Sequence, residues 1–146
     1  MNFIIKSFSE LNINELYAIL QLRSEVFVVE QDCVYQDLDF KDQKGLHVFG
    51  LKNDKIIAYT RIFKPGDYFK EASIGRVVVK DTERKYGYGY ELMKVSIKAV
   101  QSEFNTIIVT ISAQVYLTKF YKSLGFEKVG EEYLEDGIPH IEMIRK

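Results

Sequence analysis

The stretch Ser73-Ile74-Gly75-Arg76-Val77-Val78-Val79-Lys80-Asp81-Thr82-Glu83-Arg84-Lys85-Tyr86-Gly87-Tyr88-Gly89-Tyr90-Glu91-Leu92-Met93 decides how the chain is read. Its β-branched run Val77-Val78-Val79, with Ile74 before it, predicts a strand over Ser73–Val79. Arg84 to Gly89 is a basic, glycine-bearing loop. From near Gly89 a helix is predicted, with Leu92, Met93, Ser96, Ile97 and Val100 on one face and Glu91, Lys94, Lys98 and Gln101 opposite. Strand, loop and helix in this order suit a pyrophosphate. The first turn of a helix offers unpaired N–H groups and partial positive charge, and glycine removes the Cβ that would hold phosphate oxygens away. Arg84 and Lys85 oppose the helix dipole by about 0.3–1 kcal/mol each, a placement that an anionic guest would reverse. No third glycine gives the dinucleotide fingerprint, and no Gly-Lys-Ser/Thr gives a Walker loop. A glycine turn with incidental surface cations is the competing reading of the loop alone.

Outward from this unit, Asn2–Phe8 reads as a first strand, and Asn12 with Glu15 as a capping box opening a helix. That helix presents Leu16, Ile19, Leu20, Arg23, Val26 and Phe27 at helical spacing and fades near Val28–Gln31. Asp32–Lys44 reads as a loop carrying Asp32, Asp37, Asp39 and Asp42, after Glu25 and Glu30. It is either a solvated acidic surface or a site that attracts a cationic amine. Leu46–Lys52 and Ile56–Phe63 form a hairpin through Asn53-Asp54. Thr106–Ile111 is a buried-type strand, with Ser112-Ala113-Gln114 connecting it to a short helix that packs Leu117, Phe120, Tyr121 and Leu124 and stops at Gly125. Phe126–Glu132 and His140–Ile144 close the chain as a hairpin, and Pro65 and Pro139 fall in turns. The order β, α, loop, β, β, β, α, β, α, β, β predicts an α/β (α+β) mixed sheet flanked by helices.

The 146 residues suffice for a single domain, 1–146. A net charge of −1 gives no field for nucleic acid or an anionic membrane. No apolar run is long enough to span a bilayer, and Met1–Glu10 lacks the pattern of a signal peptide. Cys33 is the only cysteine, which excludes an internal disulfide and suits a reducing, cytoplasmic setting. Nothing suggests a metal, and both a monomer and a homodimer fit the sequence.

Val77-Val78-Val79 followed by Arg84-x-x-Gly87-x-Gly89 resembles the acetyl-CoA signature of the GNAT acetyltransferases. The segments Leu22–Gln31, Ile74–Val79 and Glu135–Met143 resemble the ElaA-like subgroup, so the similarity covers nearly the whole chain. The resemblance implies the GNAT acyl-CoA N-acyltransferase fold, in which two parallel strands splay apart and CoA lies in the V. Those strands would be Ser73–Val79 and Thr106–Ile111. It further implies that Val77 and Val79 bond the pantetheine through their main chain, that an N–H near Val77 or Val78 stabilises the thioester oxygen, and that Arg84, Lys85, Tyr86, Gly87, Tyr88 and Gly89 hold the pyrophosphate. Tyr121, in Tyr-x-x-x-Gly-Phe, would protonate the leaving thiolate, and Gln114 stands where many members carry a pantetheine-binding asparagine. Lys85 and Tyr88 replace residues more usual in the family.

Acetyl transfer to an amine also needs a base, because a lysine-like amine costs about 4–5 kcal/mol to deprotonate at neutral pH. Many members place a glutamate on the central splayed strand, but Ser73–Val79 holds no carboxylate. The candidates are Glu30, His47 and His140. Arg76 is a charge in a strand built for burial, and it requires either a carboxylate partner, such as Glu30, or a ligand near the acceptor site. The expected function is therefore acetyl-CoA-dependent N-acetyl transfer to a small-molecule or peptide amine, with acetyl-CoA as co-substrate. A non-catalytic acyl-CoA sensor is the alternative reading, and transfer of a longer acyl group a third.

Overall fold

The computed structural model describes residues 1–146. Seven strands form one sheet in the order β1-β2-β3-β4-β5-β7-β6. They are β1 (Asn2–Ser7), β2 (Leu46–Lys52), β3 (Lys55–Phe63), β4 (Ala72–Val79), β5 (Val109–Gln114), β6 (Glu127–Glu135) and β7 (Ile138–Arg145). The helices are α1 (Ile13–Arg23), α2 (Tyr88–Phe104) and α3 (Thr118–Lys122). Every neighbouring pair is antiparallel except β4 and β5.

The period-two alternation of the strands sorts their side chains onto two faces. Phe49, Tyr59 and Val78 pack with Ile19, Leu22 and Val26 on the α1 side. Val48, Ala58, Ile62 and Ile74 pack with Leu92, Met93, Ala99 and Val100 of α2 on the other. Full burial of such side chains contributes about 1.5–3 kcal/mol each. The one polar contact in the α2 seam is satisfied, because Ser96 Oγ bonds Thr60 Oγ1 at 2.6 Å and the Leu92 carbonyl at 2.8 Å.

Several boundaries follow the sequence reading. Asn12 caps α1 by accepting from the Glu15 amide, and Glu15 returns a bond to the Asn12 amide. Asn53 and Asp54 take φ of 52° and 62°, the left-handed pair a tight hairpin turn requires. Gly125, at φ 94°, ends the α3 segment.

Others are corrected. β5 begins at Val109 and continues through Gln114, so Ser112-Ala113-Gln114 is strand and not connector. Ile107 and Ile108 precede it and are exposed, since β4 has no partner there to cover them. The last hairpin turns on Asp136-Gly137 alone, with φ of 51° and 78°, and Pro139 lies within β7. There it faces Leu134 of β6 on one side, while on the other β5 ends at Gln114 opposite His140, so no β5 residue needs an N–H from Pro139. As expected, the first helix fades only at Val28–Gln31, but past Arg23 it is no longer α-wound. It continues as a wider π-wound segment, Ser24–Glu30, which carries Glu25 to Lys80 (3.1 Å) and Glu30 to Arg84 (2.6 Å).

Candidate active site

The site begins with a break in the sheet. β4 and β5 pair only at Ala72↔Val109 and Ser73↔Thr110. Beyond that point β4 bulges. Arg61 faces Gly75 and Tyr59 faces Val78, so two steps along β3 match three along β4. Arg76 is the bulged residue, with φ of 50°. A bulge bends its strand, and β4 leaves β5 here. Arg76 is held by ion pairs to Asp37 (2.7 Å) and Asp39 (3.5 Å) and by a bond to the Asp37 carbonyl (3.0 Å). Its partners are therefore the 32–44 loop and not Glu30. A glycine inside a β-branched run, Gly75, was the sequence signal for this bulge.

The parted strands open a cleft of about 570 Å³. Val77, Val78, Val79, Arg84, Gly87, Gly89, Gln114 and Tyr121 all line it, together with Arg76, Glu30 and His140. Gly87 caps α2 at φ 75°, a conformation that favours glycine, and a Cβ there would meet open space. α2 starts at Tyr88, so its first unpaired N–H groups belong to Tyr88, Gly89 and Tyr90. For Lys85, Tyr86 and Tyr88 the expected contacts are main-chain N–H groups. Their side chains lie outside the cleft, with Lys52 Nζ 4.1 Å from the centre of the Tyr86 ring and 5.2 Å from that of Tyr88, and Lys85 Nζ 5.2 Å from Tyr86. Only their main chain remains available to a phosphate.

Arg84 donates from Nε to the Val79 carbonyl (3.0 Å) and grips Glu30 with both terminal nitrogens (2.6 and 2.9 Å). The hydrogen bonds to Glu30 raise its affinity for its proton. Gln114 Oε1 is buried in the cleft wall with no hydrogen-bond partner, an acceptor aimed at a missing donor. A pantetheine amide N–H would satisfy it, and the open glycine cap would admit a pyrophosphate, so the residues fit coenzyme A. Tyr121 is buried against Phe120 and Phe126, and burial pushes its phenol well above its ordinary value. It keeps its proton throughout the neutral range.

The base candidates separate sharply. His47 is enclosed, with Nδ1 2.6 Å from Tyr59 Oη and Nε2 2.9 Å from the Asp42 carbonyl, and burial pushes its pKa down. It does not line the cleft and is a structural residue, not a base. Glu30 is committed to Arg84. His140 faces the cleft, its Nε2 3.2 Å from Glu135 Oε2. Glu135, absent from the sequence candidates, also lines the cleft, because the two-residue turn lifts it to the end of β6.

The acidic loop is neither a solvated surface nor an amine trap. Asp37 and Asp42 are buried, and Asp42 accepts from Arg23 and Arg61 at 2.8 Å each. Arg61 also bonds Asp39 through both terminal nitrogens (2.9 Å each), and Arg23 bonds Asp37 (2.8 Å). Three aspartates and three arginines thus cancel one another beneath the cleft.

A splayed parallel pair, a glycine-capped helix at its mouth and a buried tyrosine in its wall define an acyl-CoA transferase type of site. Residues 6–146 match the family model of the acetyltransferase (GNAT) domain, and the chain belongs to that family. Within the family it is ElaA-like. Protein ElaA of Escherichia coli is 46% identical over 140 residues, covering 94% of this chain and 92% of ElaA. The crystal structure of that protein superposes with a TM-score of 0.92 over 99% of both chains, at 42% identity. An acyl-CoA N-acyltransferase from Pseudomonas aeruginosa superposes with a TM-score of 0.93 over 100% of both chains, at 39% identity. An aminoglycoside 6′-N-acetyltransferase complexed with coenzyme A, 16% identical, shares the fold over 97% of this chain and 96% of its own, with a TM-score of 0.70.

Proposed function

We propose that the chain works as one N-acetyltransferase domain that moves the acetyl group of acetyl-CoA to an amine of a small molecule or peptide. The observation that carries this is the cleft between β4 and β5, with the glycine-capped start of α2 at its mouth and buried Tyr121 in its wall. The main-chain N–H groups at the start of α2 and the Arg84 guanidinium bind the diphosphate. Gln114 Oε1 accepts from a pantetheine amide. A free N–H at the β4 bulge, near Val77 or Val78, stabilises the thioester oxygen as it gains charge. Tyr121, held protonated by burial, gives its proton to the departing thiolate. Acyl-chain choice then rests with the shape of the cavity. The lone Cys33, a free thiol, suits a reducing cytoplasm.

Thiol release from acetyl-CoA in the presence of a panel of amines tests the reading. Tyr121→Phe should lower turnover by about 10²–10⁴-fold and leave acetyl-CoA affinity by calorimetry unchanged. Acetyl-CoA that binds but is never consumed would favour a sensing domain instead, and absence of binding would end the proposal.

A further inference from the structure

The cleft has a polar end that the acetyl-CoA machinery does not use. Glu135 Oε1 accepts from Ser112 Oγ (3.3 Å), and Ser112 Oγ in turn meets the Tyr133 hydroxyl. Glu135 Oε2 faces His140 Nε2 at 3.2 Å. The imidazole's other nitrogen, Nδ1, lies 2.7 Å from the Ile138 carbonyl, which can only accept. Nδ1 therefore carries a hydrogen. With only that hydrogen on the ring, His140 would turn its Nε2 lone pair toward a carboxylate oxygen, so that two acceptors face each other. The opposed atoms form a seat for one proton.

Position favours a catalytic use of that seat. Gln114, His140 and Tyr133 are direct cross-strand partners on β5, β7 and β6, so the seat lies one strand from the wall residue that faces the pantetheine. The Glu135 side chain is 44% exposed while that of His140 is 7% exposed, so the carboxylate connects the seat to water. Of the other charges of the lining, Arg61 and Arg76 hold aspartates, and Glu30 stands beside Arg84 at the diphosphate end of the cleft. The remaining titratable groups near the pair are Tyr133 on β6, Glu142 on β7, Tyr68 in the β3–β4 connection, Asp136 in the turn and Cys33, whose thiol donates to the Asp136 carbonyl (3.3 Å). Burial and the neighbouring carboxylates keep Tyr133 protonated, so it donates through Ser112 toward Glu135.

We propose that Glu135 and His140 are the base of this site, taking the proton of an amine that arrives as an ammonium ion, with Ser112 and Tyr133 as positioning residues. The inference rests on the acetyl-transfer reading. The ammonium ion gives one proton to the seat, and the freed amine nitrogen bonds to the thioester carbon. Collapse of the adduct breaks the carbon–sulfur bond, and Tyr121 protonates the sulfur. The second proton lost by nitrogen replaces the one Tyr121 gave, and the first leaves through Glu135 to water. The acceptor class is therefore a strongly basic, cationic amine.

The test uses ethylamine and trifluoroethylamine, close in shape but cationic and largely neutral, respectively, at pH 7. Glu135→Gln and His140→Gln should each lower acetyl-CoA-dependent turnover of ethylamine by about 100-fold or more, with a loss for trifluoroethylamine at least about tenfold smaller. A second readout needs no activity: nitrogen-15 NMR of the wild-type protein, with its two histidines assigned by the His140 variant, should show Nδ1 of His140 protonated. Equal losses for both amines, no loss for either, or an unprotonated Nδ1 would each overturn the proposal. A wild-type protein that fails to bind acetyl-CoA in calorimetry, or binds it and consumes none with either amine, would instead strike the underlying reading, so the two failures are told apart.

Discussion

Arginine meets carboxylate in two places in this fold, with similar geometry and opposite surroundings. Beneath the cleft, Asp42 bridges Arg23 and Arg61 at 2.8 Å each, and the arginine side chains are 1% and 2% exposed. At the rim, Arg84 grips Glu30 at 2.6 Å, with side chains 40% and 36% exposed. Distance does not distinguish them, but burial does. A buried pair that loses one member strands the other in a medium that cannot solvate it. An exposed pair that loses one member is repaired by water or by any other anion. The lower set is therefore scaffold. It holds the 32–44 loop and, through Asp37 and Asp39, the bulged Arg76 that parts the sheet. The rim pair is exchangeable, and under the proposed function a diphosphate would take the place of Glu30.

The largest effect expected from this contrast is on stability. Asp42→Ala should cost about 3–5 kcal/mol, because two buried guanidinium groups lose a partner, whereas Glu30→Ala should cost under about 1 kcal/mol. Denaturant unfolding of the two variants checks this, and equal losses would erase the distinction. Acid should then act on the scaffold. Burial alone would favour the protonated form of Asp39, but its bonds from Arg61 and the Lys41 amide outweigh that and hold it down to about 2. Burial likewise opposes the charge of Asp42, and Arg23 and Arg61 prevail to lower its pKa. Burial also lowers His47 from its ordinary 6.5. In each case the unfolded chain binds its proton first, so these contributions are complete above pH 6.5 and fall with acidification. The His47 part should go below pH 6.5 and the aspartate part from about 3.8 toward 2, as read from unfolding midpoints across pH.

What could be read from the sequence divides along the same line between local and distant causes. The strand at Val77–Val79, the capping box of Asn12 and Glu15 and the Asn53-Asp54 turn are written in adjacent residues, and the structure has each of them. The glycine-capped start of α2 was legible for the same reason, as a strand, glycines and a helix in succession. Ile107 and Ile108 misled because a β-branched run predicts a strand without saying whether a neighbour will cover it. The aspartate loop misled because its partners Arg23, Arg61 and Arg76 lie 14 to 39 positions away. Glu135 escaped notice because its place depends on Ser112, 23 residues before it, and on a two-residue turn at Asp136-Gly137 that extends β6 past the predicted end at Glu132.

The smallest effect tests the exchange at the rim directly. If diphosphate displaces Glu30 from Arg84, binding must first break the ion pair and then place negative charge beside a free carboxylate. Removing that competitor should tighten binding. An exposed pair is worth about 0.2–1 kcal/mol, so Glu30→Gln should raise acetyl-CoA affinity by roughly 1.4- to 5-fold. Arg84→Gln should weaken it, and added salt should narrow the difference between wild type and Glu30→Gln by screening the pair. Calorimetric titration of acetyl-CoA into the three proteins at low and high salt reads all of this. An affinity that drops in Glu30→Gln would mean the carboxylate orients Arg84 for the diphosphate, making the rim pair part of the scaffold after all.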